Sequence, residues 1–286
     1  VADESPVVAL VLTLVPPEPV TLPANQGRAA HALLLRWAAE ADPALLHEGS
    51  QARPFTASSL LDAPHPDRQG LVHLSPARPV ALPFTSTHPA LAQVLSAQAA
   101  APPAQVILSD RPFDVVAVTT DPAGHPRAGR TSLEALSRRY RVEARDLPDQ
   151  VGLAFDSPTA FRRQGVNLLF PLPDLVWGSL AEAWNASSPV PVNAELRDFA
   201  REHLAVSRFR LESRALSFPD NVQLGCTGHC WYTFLDCDPY WMRQVHLLAA
   251  FAVYAGVGYR TTVGMGQVRV LPAPKHGLVH LTRDSA

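Results

Sequence analysis

The feature that most constrains this chain is an order of apolar segments that occurs twice. In the first half, "VVALVLTLVP" is rich in Val and Leu with loose alternation, which predicts a strand. "RAAHALLLRWAAEADP" predicts a helix that ends before Pro43, because the residue before a proline disfavours helical backbone. "RPFTASSLL" and "GLVHLSPARPVAL" read as strands, "HPALAQVLSAQAA" as a helix and "QVILSDRPFDVVAVTT" as further strand. The second half repeats the order. "QVGLAFDSPTAFR" is a strand and "LPDLVWGSLAEAWNA" a helix, followed by a strand pair in "VSRFRLESRALSF" and "CWYTFLD". "PYWMRQVHLLAAFAVYAG" is a long helix with Pro239 near its start, and "GQVRVLP" a closing strand. Two successive βαββαβ units predict an α+β chain of tandem ferredoxin-like domains. The expected division is residues 1–130, a Pro-, Gly- and Arg-rich linker at 131–144, and residues 145–286.

A length of 286 residues accommodates two such domains. Hydrophobic content of 47% and charged content of 17% are those of a folded chain. No apolar run approaches the roughly 18 residues of a membrane span, so no membrane partner is expected. The first residues, Val1 to Glu4, lack a basic leader pattern, and a cytoplasmic location is the expectation. The net charge of −2 does not point to a polyanion partner; a local basic patch decides that question.

Three cysteines cluster in "CTGHCWYTFLDC", Cys226, Cys230 and Cys237, with His229 between them. A structural zinc site needs four well-placed ligands, and this spacing matches no standard zinc knuckle. The cysteines therefore read as thiols in a strand pair, and no metal or other cofactor is expected.

Near the C-terminus, "AGVGYRTTVGMGQVRVLP" places Gly256, Gly258, Gly264 and Gly266 in one short stretch of a chain with only 15 glycines. A dinucleotide or P-loop site needs strand, glycine loop, then helix, so that phosphate meets the helix N-terminus. Here a helix precedes the glycines and a strand follows, which excludes both. A turn with relieved strain accounts for one or two glycines. Four of them, with Arg260, Thr261 and Thr262 set between the pairs, suit a flexible loop whose amides and side chains face a phosphate backbone.

Glycine pairs flanking a basic residue before a last strand resemble the C-terminal loop of RAMP-superfamily proteins. Within that superfamily the chain resembles the CRISPR-associated endoribonucleases that cut precursor CRISPR RNA within its repeats. "LLHEGSQARPFTASSL", "FDSPTAFRRQG" and "RQVHLLAAFAVYAGVG" fit the same family in the same order, from about His47 to Leu271. The resemblance implies a pair of ferredoxin-like domains and cleavage without metal. The ribose 2′-OH would attack the adjacent phosphate, leaving a 2′,3′-cyclic phosphate and a 5′-OH.

It also implies site residues. His47 corresponds to the family's acid or base histidine, and Arg53, six positions on, to its assisting basic residue. Arginine stays charged, so Arg53 is assigned charge stabilisation alone. His31, in the first helix, is held in reserve: it is either a helix-margin histidine or the catalytic one. Expected RNA contacts are Gly256, Gly258, Arg260, Thr261, Thr262, Gly264 and Gly266, with Ser157, Arg162 and Arg163 from the second unit. Arg208, Arg210 and Arg214 share one strand face, which suits RNA or a solvated edge equally. The expected partner is CRISPR repeat RNA, precursor and mature, with subunits of a CRISPR effector complex as further partners and a monomer or homodimer as the assembly. The alternative reading is a non-catalytic RNA-binding subunit of such a complex on the same fold.

Overall fold

The first strand, β1 (Pro6–Val15), is buried on both faces and serves two cores. Val8, Leu10, Leu12 and Leu14 pack in one cluster, while Val7 and Ala9 pack in another. Side chains alternate across a strand, so a run apolar at every position fits burial from both sides. A computed structural model describes residues 5–46, 54–218 and 221–272.

The chain continues through β2 (Val20–Pro23), α1 (Gly27–Ala41) and a single 3₁₀ turn (Pro43–Leu46). It then forms β3 (Phe55–Ala57), β4 (Leu71–Leu74), β5 (Val80–Ser86), α2 (Pro89–Ala100), β6 (Gln105–Leu108) and β7 (Arg111–Thr119). The main sheet has the order β3-β5-β1-β7-β6, all antiparallel. Taking β1, β3, β5 and β7 as the four strands of a βαββαβ unit, the spatial order is second-third-first-fourth.

The second half repeats this. It runs through β8 (Gly129–Ser132), α3 (Leu133–Ser137), β9 (Gln150–Thr159), β10 (Phe161–Arg163), β11 (Val166–Leu168) and α4 (Pro173–Ser187). After these come α5 (Leu196–His203), β12 (Leu204–Ser217), β13 (Val222–Phe234), α6 (Pro239–Ala255) and β14 (Val268–Leu271). Its sheet order, β12-β13-β9-β14, is again second-third-first-fourth and antiparallel. The tandem ferredoxin-like fold expected from the sequence is the fold observed.

Several details differ from the sequence reading. "GLVHLSPARPVAL" is two strands, because a turn closes where the Arg78 amide donates to the Ser75 carbonyl at 3.2 Å. Its first part, β4, pairs with β2 in a separate two-stranded sheet. Helix α5 gave little sequence signal because it is short; it buries Leu196, Phe199 and Ala200 on one face. Residues 131–144, expected as a linker, are folded. Strand β8 pairs with β1, and the Ser132 hydroxyl caps α3 by accepting from the Ala135 amide at 3.1 Å. Leu133 and Leu136 are buried in the second core.

The two sheets are joined by buried polar chains as well as by β1. Helix α6 packs between them, against its own sheet and against β1, β3 and β5. Alongside it runs a directional chain of hydrogen bonds. Gln267 Nε2 donates to the Thr56 hydroxyl (2.9 Å), Thr56 donates to Thr85 (2.8 Å), and Thr85 donates to the Tyr254 carbonyl. All three side chains are buried, so each hydrogen bond offsets a desolvation cost that it would otherwise leave standing.

Candidate active site

The glycine-rich segment lies where the two sheets meet. Helix α6 ends at Gly256, and the Val257 amide donates to the Gly266 carbonyl (2.9 Å), closing the segment into a loop. The Gly258 amide donates to Ser179 Oγ on α4 (3.0 Å) and the Tyr259 amide to the Ala160 carbonyl (2.8 Å). On the far side, the Gly264 amide donates to the Ala57 carbonyl at the end of β3 (2.9 Å). A loop from the second unit is thereby hydrogen-bonded to the edge strand of the first.

This corrects the expectation of a flexible loop with open amides. What approaches the glycines is the protein's own backbone. A Cβ at Gly258 would lie 2.4 Å from the Ala160 carbonyl oxygen, and one at Gly266 2.4 Å from that of Val257. Both have φ near +80°, a region that side chains disfavour. Gly256 and Gly264 are likewise enclosed by neighbouring atoms. Ser157, expected at the surface, is buried, and its hydroxyl accepts from the Gln267 amide at 2.9 Å.

The tip of the segment does face outward. Arg260 is in the left-handed region (φ 58°, ψ 35°) and starts a 3₁₀ turn over Thr261–Val263. Its guanidinium carbon lies 4.4 Å from the Phe218 ring centroid and 5.4 Å from that of Tyr259. Arg162 lies 5.3 Å from the other contact, the Tyr259 ring, and donates to the Tyr259 hydroxyl at 3.2 Å. The hydrogen bond from Arg260, aided by both positive charges, holds the Tyr259 phenol below its ordinary pKa. Arg163 is exposed beside Arg162 on the β10–β11 hairpin.

Helix α1 meets the 3₁₀ turn backbone to backbone. A Cβ on Gly27, its first residue, would sit 2.2 Å from the Val263 carbonyl. One turn on, His31 Nδ1 lies 2.9 Å from the Thr262 carbonyl oxygen. A carbonyl only accepts, so Nδ1 carries the proton and Nε2 is the nitrogen left for proton transfer. The ring also packs on Phe55, centroids 5.4 Å apart. Arg28, at i−3 from His31, shares its side of the helix.

Beside this contact opens a cleft of about 630 Å³. Arg28, Pro54, Ser179, Phe218, Arg260 and Thr262 are among the residues that line it. Glu182 also lines the cleft, its charge engaged by Arg197 at 2.6 Å. Thus the reserve histidine, His31, is joined to the glycine-rich segment through a wall residue of the cleft. His47 and Arg53 lie outside the described residues; the described chain resumes at Pro54, in the cleft wall.

Sequence reasoning missed Tyr259, Phe218 and Arg28. Tyr259 was visible beside Arg260 between the glycine pairs, whereas Phe218 comes to Arg260 only through folding. Cys226 and Cys230 are buried, and burial pushes their thiols up to about 12 and about 11; Cys237 is exposed. Among the described residues no three His, Cys, Asp or Glu side chains gather as a metal site. The arrangement provides a histidine of fixed tautomer and arginine charge at one cleft, the elements of acid–base chemistry on a phosphodiester.

The family model of the CRISPR-associated endoribonuclease Cas6 matches residues 153–268. A curated relative from Mycobacterium tuberculosis, named CRISPR-associated endoribonuclease Cas6, is 29% identical over 146 residues. That alignment covers 50% of this chain and 42% of the relative. One of the same name from Streptococcus thermophilus is 23% identical over 120 residues, 41% of this chain and 49% of its own. The chain thus aligns with less than half the length of these curated relatives. Across nearly the whole fold, it superposes on a Thermus thermophilus Cas6 product complex with a TM-score of 0.74 and 29% identity. That superposition covers 93% of this chain and 100% of the other. Sheet order and these matches agree: the chain has the fold of Cas6 proteins across nearly its whole length, and its residues 153–268 match the Cas6 family model.

Proposed function

We propose that this protein is a metal-independent endoribonuclease that cuts precursor CRISPR RNA within its repeats. The observation that carries the reading is the His31–Thr262 hydrogen bond, which fixes the imidazole tautomer at the edge of an arginine-bearing cleft. The ribose 2′-oxygen attacks the adjacent phosphorus while a base removes its proton. The bond from phosphorus to the 5′-oxygen breaks, and an acid protonates the leaving oxygen. The products are a 2′,3′-cyclic phosphate and a 5′-OH. His31 Nε2 serves as one of the two proton-transfer groups, and Arg28 and Arg260 stabilise the charge on the pentavalent phosphorus.

His47 is the second proton-transfer group in this reading, and Arg53 adds charge; both belong to the segment that ends at Pro54. RNA contacts come from Arg162 and Arg163, which are exposed, and from Arg260 and Thr261, which are half-buried. The glycines and Ser157 shape the loop, and Thr262 orients His31. The similar Thermus thermophilus protein was captured with its product, which supports repeat RNA as the ligand here. The protein would work in the cytoplasm on its own or within a CRISPR effector complex.

The test is incubation of purified protein with CRISPR repeat RNA of its source organism in EDTA, with His31→Ala and His47→Ala in parallel. Cleavage by the wild type with a cyclic phosphate end, lost in His31→Ala, is the expected result. Tight binding without cleavage would establish the non-catalytic RNA-binding subunit instead.

A further inference from the structure

Tyr259 and Arg260 form a ridge with the cleft on one side and a separate pocket of about 310 Å³ on the other. This pocket lies between the β10–β11 hairpin and the start of β13. Among the described residues its walls are Arg162, Gly165, Tyr259 and Arg260 together with three carboxamides, Asn167, Asn221 and Gln223.

The carboxamides are ordered in a line. Asn167 Nδ2 donates to Gln223 Oε1 (2.7 Å), and Gln223 Nε2 donates to Asn221 Oδ1 (2.9 Å). These bonds set the orientation of all three amides. They leave Asn167 Oδ1 as an acceptor and Asn221 Nδ2 as a donor with no hydrogen-bond partner among the described residues. A donor and an acceptor held in fixed order complement the edge of a nucleobase, which also presents both. The aromatic and guanidinium planes of Tyr259, Arg162 and Arg260 are surfaces on which an unstacked base is held. Among the described residues, no carboxylate lines this pocket.

Resting on the RNA-cleavage reading, we propose that this pocket receives one unpaired nucleobase of the bound repeat RNA. The base packs on the Arg162–Tyr259–Arg260 stack, and the Asn167–Gln223–Asn221 line reads its edge. The ridge then separates a base-reading pocket from the cleft where the phosphate reacts, so one unpaired nucleotide fixes the register of the strand. A phosphate-only grip would not need the amide line, because carboxamides add no charge to it.

The probe is the same CRISPR repeat RNA, with a 2′-deoxy nucleotide at the scissile position to block cutting. Single abasic sites are walked through its unpaired positions. Affinity is read by fluorescence anisotropy for the wild type, Gln223→Ala and Tyr259→Leu, and far-ultraviolet circular dichroism checks that each variant is folded. One abasic position is expected to weaken wild-type binding about tenfold, within the range measured for a stacked base. Both variants should bind intact RNA more weakly by a similar factor and lose sensitivity to that position. If no position distinguishes wild type from variants, the pocket assignment is overturned. The wild-type cleavage assay in EDTA is scored separately. Cleavage without the coupling removes only the pocket, and coupling without cleavage removes only the nuclease reading.

Discussion

His31 Nδ1 sits 2.9 Å from the carbonyl oxygen of Thr262, 231 positions along the chain. This bond ties the first helix of one ferredoxin-like unit to the glycine-rich segment of the other. It determines which imidazole nitrogen carries the proton, and so which nitrogen is left to act on a substrate.

Replacing His31 with Ala should lower the single-turnover cleavage rate by about 100- to 10,000-fold, the usual contribution of a general acid or base. Binding of uncleavable RNA should change far less. A rate within a few-fold of wild type would move the proton-transfer role to His47.

Gly27 is the point where α1 touches the 3₁₀ turn, and a methyl group there has no room beside the Val263 carbonyl. Gly27→Ala should shift the helix from the turn and stretch the His31–Thr262 bond. The expected result is a cleavage defect of at least tenfold in a protein that is still folded by circular dichroism. Normal cleavage would show that the contact is not needed for chemistry.

Asp156 accepts from Arg127 and from Arg269, each at 3.0 Å, and Arg127 also reaches Asp62 at 2.9 Å. The Asp156 side chain is only 9% exposed. Burial opposes the Arg127 charge, but the two carboxylates outweigh it and raise the pKa of the group. Asp156→Ala leaves two arginines facing each other, and should cost about 3–5 kcal/mol in urea unfolding, as for a broken buried pair. A change below 1 kcal/mol would show that the network is idle.

Thr56 is the middle of the chain from Gln267 to Tyr254. Thr56→Val keeps the shape but removes both of its hydrogen bonds, leaving the Gln267 amide short of a partner. The expected cost is about 1–3 kcal/mol. The check is the shift in urea midpoint at unchanged slope.

His246 on α6 donates through Nε2 to the Pro148 carbonyl at 2.8 Å and stacks on Phe234. Burial holds its pKa below the ordinary 6.5, more strongly than the Pro148 bond raises it. Below that value the unfolded chain binds the proton more readily than the folded one, so stability falls as pH drops through 6.5. The melting temperature should therefore decline from neutral pH toward more acidic pH, and His246→Gln should make the decline shallower. An identical decline in the variant would remove His246 as a source.

The order of strands and helices was legible because periodicity is local: alternation marks a strand and a 3.6-residue period marks a helix within one segment. That was enough for "QVGLAFDSPTAFR", α4 and α6, and for the tandem fold. It was not enough for β2 paired with β4, whose strands are only four residues each, or for α5. The glycine-rich segment was also plain in the sequence, as was its unsuitability for a nucleotide. What its glycines accommodate was not, because the carbonyls that crowd Gly258 and Gly266 arrive by folding. By itself the sequence determined the repeated topology, the family likeness and a short list of histidines and arginines. Only the tertiary structure decided that His31 meets Thr262, that Phe218 lies under Arg260, and that three carboxamides line one pocket. Those relations depend on how two cores share β1 and α6, and no local pattern encodes a contact between residues so far apart in the chain.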